Sequence, residues 1–301
     1  MSEIWVPITI AAAFSQNVRN ALQKRLTTNL STVGATQVRF FYAIPFAVLY
    51  MLVLSYGMGY SLPSPNTKFI VYAIVGAVSQ IFATELLVKL FVYRNFFIGT
   101  TYSKTESIQT AALGFFILSD TLTAGSIAGI AIGIIGVGVI SSTKNKFSLA
   151  EMLKSLGSKT AVIGISSGLF FAIASVSYRG ASLSLEGGYV IKAAFTLISV
   201  LVFQSLLVMF YLLKRETGQM TLVIKNWRIS WLVGLSGMLA SVGWFTAMAI
   251  QNAAHIRALG QVELVFAFLA SILVFKEKIS KIELVGVSLI VFGVLVLLAY
   301  K

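Results

Sequence analysis

Apolar runs long enough to cross a bilayer follow one another along this 301-residue chain, separated only by short polar breaks. A membrane-spanning helix needs roughly 20 consecutive, mostly apolar residues. The runs fall at 4–23, 34–56, 68–90, 96–119, 122–142, 160–179, 188–213, 230–250, 255–275 and 281–300. Ten such spans consume about 200 residues and leave no room for a separate soluble catalytic domain. Soluble domains carry about one charged residue in four, whereas this chain is 11% charged and 57% hydrophobic. A chain of this length cannot bury that much apolar surface against itself, so lipid must be the solvent for most of it. The first run opens with Ser2 and Glu3 rather than with basic residues, and it carries Gln16, Asn17, Arg19 and Asn20. It therefore reads as a retained first span, not as a cleaved leader.

Composition also narrows the chemistry. There is no Cys and a single His, His255. That excludes a disulfide framework, a thiolate metal site and clustered imidazole ligands, and no metal or cofactor is expected. The net charge of +13 does not indicate nucleic acid. Its basic residues sit in short loops rather than on a domain that could form a groove. They concentrate in one alternate set of loops, with Lys24, Arg25 and Arg39, then Lys144, Lys146 and Lys154, then Lys214, Arg215, Lys225 and Arg228. By the positive-inside rule those loops are cytoplasmic and both termini lie outside.

The polar stretch Lys144–Ser158 lies almost at the midpoint and invites a search for an internal repeat. At one constant offset, without a gap, Asn95 meets Asn252, Glu106 meets Glu263 and Asp120 meets Glu277. Gly129 meets Gly286 and Gly136 meets Gly293 at the same offset. Five unlike residues across three spans do not align by chance, so the chain divides into a first five-helix unit (1–143), a linker (144–159) and a second unit (160–301). Five spans is an odd number, so the second unit enters the membrane from the opposite side. Such inverted repeats are typical of secondary transporters.

In each half an acidic residue (Asp120-Thr121-Leu122, Glu277-Lys278-Ile279) precedes the paired glycines, and another carboxylate, Glu106 or Glu263, stands at the same interval before it. Arg39-Phe40 opens the second span after a polar turn. Over nearly the whole chain this pattern resembles the ten-helix EamA-type permeases of the drug/metabolite transporter superfamily. The resemblance implies an all-α integral membrane protein of ten transmembrane helices as two inverted repeats, in the bacterial cytoplasmic (inner) membrane, moving amino acids, metabolites or drugs. In many such permeases proline follows the paired glutamate and kinks its helix. Here Ser107 and Leu264 stand there instead, so the glutamates are carried over as cavity positions and the kink is not.

Ionisable groups inside spans are costly and mark function or mutual pairing. Glu106 and Glu263 are the candidates to titrate protons or bind a substrate amine, with capping or helix pairing as the structural alternative. Lys104 and Gln261, which coincide at the repeat offset, are candidates to bind a carboxylate or other anion. Lys104 and Glu106 lie about 200° apart around a helix and are not expected to share a face. Arg19 is too deep for a default snorkelling position, whereas Arg257 at the start of span nine can snorkel or line the site. Trp244 stacks on substrate or serves as apolar filler. Glu85 and Lys89 read as a local ion pair, and Trp5 and Trp231, near span ends, as interfacial anchors. Gly125, Gly129 and Gly133 form a close-packing stripe for the tenth span or for a second subunit of a homodimer.

The function read from these features is secondary transport of a small-molecule substrate, an amino acid or organic anion, by alternating access with or without proton coupling. An uncoupled exchanger or uniporter is the alternative. A membrane-embedded lipid-modifying enzyme would need clustered catalytic groups at a membrane face, and the loops offer none.

Overall fold

Backbone N–H and C=O groups find no partners in lipid, so an apolar chain must satisfy them within each segment, as a helix does. The computed structural model describes residues 4–93, 96, 100, 103–104, 106–119, 123–141, 159–276 and 280–299, and every regular element among them is helical. Asn95, Asp120 and Glu277 lie outside the described residues, as does the linker up to Ser158.

The first half comprises α1 (Trp5–Leu26), α2 (Thr32–Phe41), α3 (Ile44–Leu52), α4 (Thr67–Tyr93), α5 (Glu106–Leu118) and α6 (Ala124–Ser141). The second comprises α7 (Lys159–Leu183), α8 (Tyr189–Arg215), α9 (Gln219–Lys225), α10 (Trp227–Ile250), α11 (Ala253–Leu259), α12 (Glu263–Leu273) and α13 (Lys281–Ala299). Six segments among the described residues are long and apolar enough to cross a membrane: Thr32–Gly57, Thr67–Tyr93, Val162–Leu183, Tyr189–Arg215, Trp227–Ile250 and His255–Leu273.

Several helices are turned inside out relative to a soluble protein. In α1 the buried residues include Gln16, Asn17, Arg19, Asn20 and Gln23, whereas Ile10, Phe14 and Val18 are exposed. Phe116 on α5 is 80% exposed and Leu295 on α13 is 57% exposed, as suits side chains that meet acyl chains. With this apolar exterior and its buried polar groups, the chain is an integral, multi-pass membrane protein.

Two helices break near the middle, each for a local reason. Pro45 near the start of α3 has no N–H to give to the carbonyl of Phe41, so α2 ends and a turn at Tyr42 and Ala43 precedes α3. Gly260–Val262 form a 3-10 turn between α11 and α12. The helix breaks before Glu263 without any proline, and α5 begins at Glu106 after a turn at Lys104. Both glutamates therefore sit in the first turn of a helix, where the backbone dipole favours a negative charge.

Small residues set the closest helix contacts. A side chain at Gly293 of α13 would meet the Gly129 carbonyl of α6 at 2.7 Å and the Gly133 nitrogen at 2.9 Å. The glycine stripe thus receives the last helix. In the same way Gly243 of α10 faces Ala12 of α1. On the far side of the bundle Gly180 of α7 faces the Tyr72 ring of α4. Trp231 is partly exposed as expected of an interfacial anchor. Trp5 is not: it is buried in a cluster with Trp244, Ala247 and Met248, because α10 and α11 cover this end of α1.

Candidate functional site

The helix starts at Glu106 and Glu263 bring two carboxylates into the centre of the bundle, where both are buried. Glu263 accepts hydrogen bonds from Gln16 (2.7 Å) and Asn20 (2.9 Å), one turn apart on α1. Its Oε2 also meets the Lys104 ammonium at 2.5 Å. Lys104 stands 3.5 Å from Glu106 Oε1, and the Arg257 guanidinium stands 3.6 Å from the same oxygen. Lys104 and Glu106 do share a face after all. The regular helix begins only at Glu106, so helical angles do not apply across the turn before it.

Arg257 is held from three sides. Its Nε donates to Ser175 of α7 at 2.7 Å, its guanidinium lies 4.8 Å over the Trp244 ring, and its backbone carbonyl accepts from Ser107 at 3.2 Å. Trp244 donates its indole N–H to Gln16 at 2.8 Å, so the same glutamine links the aromatic ring to Glu263. Arg257 and Trp244 are both buried, which rules out snorkelling for Arg257 here.

Arg19 is fully buried on α1 beside this network. Its Nε and Nη2 meet the Asn20 amide oxygen at 3.2 and 2.7 Å. Gln261 is buried but packs against Gly133 of α6, away from the cavity described next. Glu85 accepts from Thr32 at 3.4 Å and makes no ion pair with Lys89, since the α2–α4 contact holds its carboxylate.

Beside the ionic network lies a narrow cavity. The centre of a water-sized sphere has only about 30 Å³ in which to move, room for roughly two waters. Gln16, Arg39, Gln80, Tyr178, Trp244 and Arg257 supply its polar wall. Leu197, Val200 and Leu201 of α8, with Phe171, Phe245 and Met248, supply the apolar wall. Neither glutamate lines it.

Arg39 is the residue that sequence reasoning misplaced. It is buried within α2 rather than in a loop. It donates to Thr84 at 2.5 Å, and the Gln80 amide, turned to match, accepts from both Nη atoms at 2.9 Å. The helical spacing of Gln80 and Thr84 on one face of an apolar helix was the signal available in the sequence. The i, i+4, i+7 spacing of Gln16, Asn20 and Gln23 was another.

A bundle of apolar-faced helices around a buried charge network is the build of a membrane transporter. Residues 158–299 match the EamA-like transporter family, which is consistent with the resemblance to the drug/metabolite transporter superfamily. That family consists of membrane transporters. No curated protein matches the sequence. One solved crystal structure superimposes with a TM-score of 0.71 at 14% identity, covering 99% of this chain and 97% of its own. At that identity the likeness concerns the fold.

Proposed function

We propose that the protein is a secondary transporter of a small metabolite, an amino acid or an organic anion, working by alternating access between two inverted five-helix halves. The halves are 1–143 and 160–301, joined by the linker 144–159, and together they make ten spans. The location is the bacterial cytoplasmic membrane, with the linker on the cytoplasmic side as the loop charges require.

The observation that carries this reading is the crossing of ion pairs between the halves. Lys104 of the first half holds Glu263 of the second, and Arg257 of the second faces Glu106 of the first. A buried pair is costly to break by removing one member but cheap to re-partner. Lys104, already within 3.5 Å of Glu106, can pass from one carboxylate to the other as the halves rock. Helix pairing supports the same symmetry. At the repeat offset α1 corresponds to α7 and α4 to α10, and the packed pairs are α1 with α10 and α4 with α7.

Arg39, Arg257 and Trp244 face the cavity as substrate-binding groups, while Glu106, Glu263 and Lys104 form the element that changes partners. Arg19 supports it through Asn20. Gln261, the counterpart of Lys104, leaves the second half without a cation at that position. An uncoupled exchanger or uniporter with the same fold is the second reading. Uptake of labelled amino acids and organic anions into proteoliposomes, with and without a pH gradient, tests both. Uptake driven by the gradient supports proton coupling, gradient-independent counterflow supports the exchanger, and no movement of any probe contradicts transport.

A further inference from the structure

Two of the described buried cations, Arg19 and Arg39, have no carboxylate within ion-pair distance. Among the described residues both buried carboxylates are engaged, Glu263 by Lys104 and Glu106 by Lys104 and Arg257. Arg19 meets only the neutral amide of Asn20, and its Nη1 has no hydrogen-bond partner. Arg39 meets only the neutral Thr84 and Gln80. The two side chains converge, since the stems of Arg19 and Arg39 both pass within 4 Å of where a Gly237 side chain would start. An uncompensated buried charge costs several kcal/mol, and hydrogen bonds to neutral groups offset that only in part.

Arg39 and Arg257 both line the cavity, and no carboxylate does. Tyr178 accepts from Gln204 at 2.9 Å, which leaves its own O–H to donate. The opposite wall is aliphatic and aromatic. A guanidinium matches a carboxylate in geometry as well as charge, whereas an ammonium would meet cations and glutamines here.

We propose that the cavity between Arg39, Arg257 and the α8 wall, once widened beyond the two-water space it encloses here, takes an organic anion, a carboxylate on an apolar or aromatic body, in preference to the zwitterionic amino acid of the same skeleton. This narrows the transporter reading and rests on it for the role of the cavity. The anion supplies the counter-charge that the protein withholds from Arg39. Binding and charge neutralisation are therefore one event.

The test uses phenylpyruvate and phenylalanine, which share a skeleton and differ in a keto against an ammonium group. Binding to the purified, detergent-solubilised protein is followed by tryptophan fluorescence. Phenylpyruvate is expected to bind about tenfold or more tighter than phenylalanine. Gln80→Glu places a carboxylate beside Arg39 with almost no change in volume. It is expected to weaken phenylpyruvate about tenfold and to raise the melting temperature of the ligand-free protein. Equal or tighter binding of phenylalanine overturns the proposal, as does binding of neither compound or an unchanged affinity in Gln80→Glu. Counterflow in proteoliposomes separates the two levels. If phenylpyruvate binds as expected but does not exchange across the bilayer, transport fails and the anion site stands. If phenylalanine exchanges and phenylpyruvate does not, the anion site fails and transport stands.

Discussion

Glu106 and Glu263 occupy corresponding places in the two halves, and both open a helix, yet their surroundings differ. Glu263 is closed off from solvent and receives donors at 2.5, 2.7 and 2.9 Å. Glu106 meets its two cations only at 3.5 and 3.6 Å, beyond good hydrogen-bond range. The cause lies two residues upstream. The first half places Lys104 where the second places Gln261, so one ammonium serves two carboxylates and must favour one of them. Two carboxylates at the same repeat offset are therefore held unequally in this structure. In the alternating-access reading proposed above, the tight member marks which way the bundle leans.

The largest effect is expected from Glu263→Gln. It removes the negative charge that answers Lys104 and replaces one acceptor oxygen by an NH2 group facing the donors Gln16, Lys104 and Asn20, leaving a buried ammonium with a distant partner. A loss of about 3–5 kcal/mol in stability is expected, with transport abolished. Thermal unfolding in detergent checks the first and proteoliposome uptake the second. Glu106→Gln, acting on longer contacts, should cost about 1–3 kcal/mol. Equal losses for the two variants, or the reverse order, would break the comparison. Gly293→Leu acts on the α6–α13 contact, which supplies none of the hydrogen bonds or ion pairs of either carboxylate. Its side chain has to displace the Gly129 carbonyl, at a cost of about 1–3 kcal/mol. That cost should add to either glutamate variant without changing the difference between them. A change in that difference on the Gly293→Leu background would mean that the α6–α13 contact is coupled to the site.

Much of the fold was legible because lipid leaves few choices. The apolar runs located the helices, and the paired glutamates marked the charged centre before any coordinates. The glycine stripe proved to face the last helix, one of the two partners open to it. Partner choice was not legible. That Lys104 reaches a carboxylate of the other half depends on a turn at Lys104, and nothing in residues 103–107 announces that turn. Arg39 looked like a loop charge because it follows a polar turn. The hydroxyl and amide groups that make its burial tolerable come from α4, far away in the sequence. The break before Glu263 was likewise hidden, because Leu264 stands where a proline would have signalled one.

The central claim is that one cavity between the halves opens in turn to each side of the membrane. Val200 on the α8 wall is buried and lines that cavity, and the chain has no native Cys to interfere. A single Val200→Cys variant, treated with a membrane-impermeant thiol reagent in right-side-out and in inside-out vesicles, tests the claim directly. Labelling is expected from both sides, and a substrate that locks one state should slow it on one side while sparing the other. Labelling from one side only, whatever is added, would contradict the account.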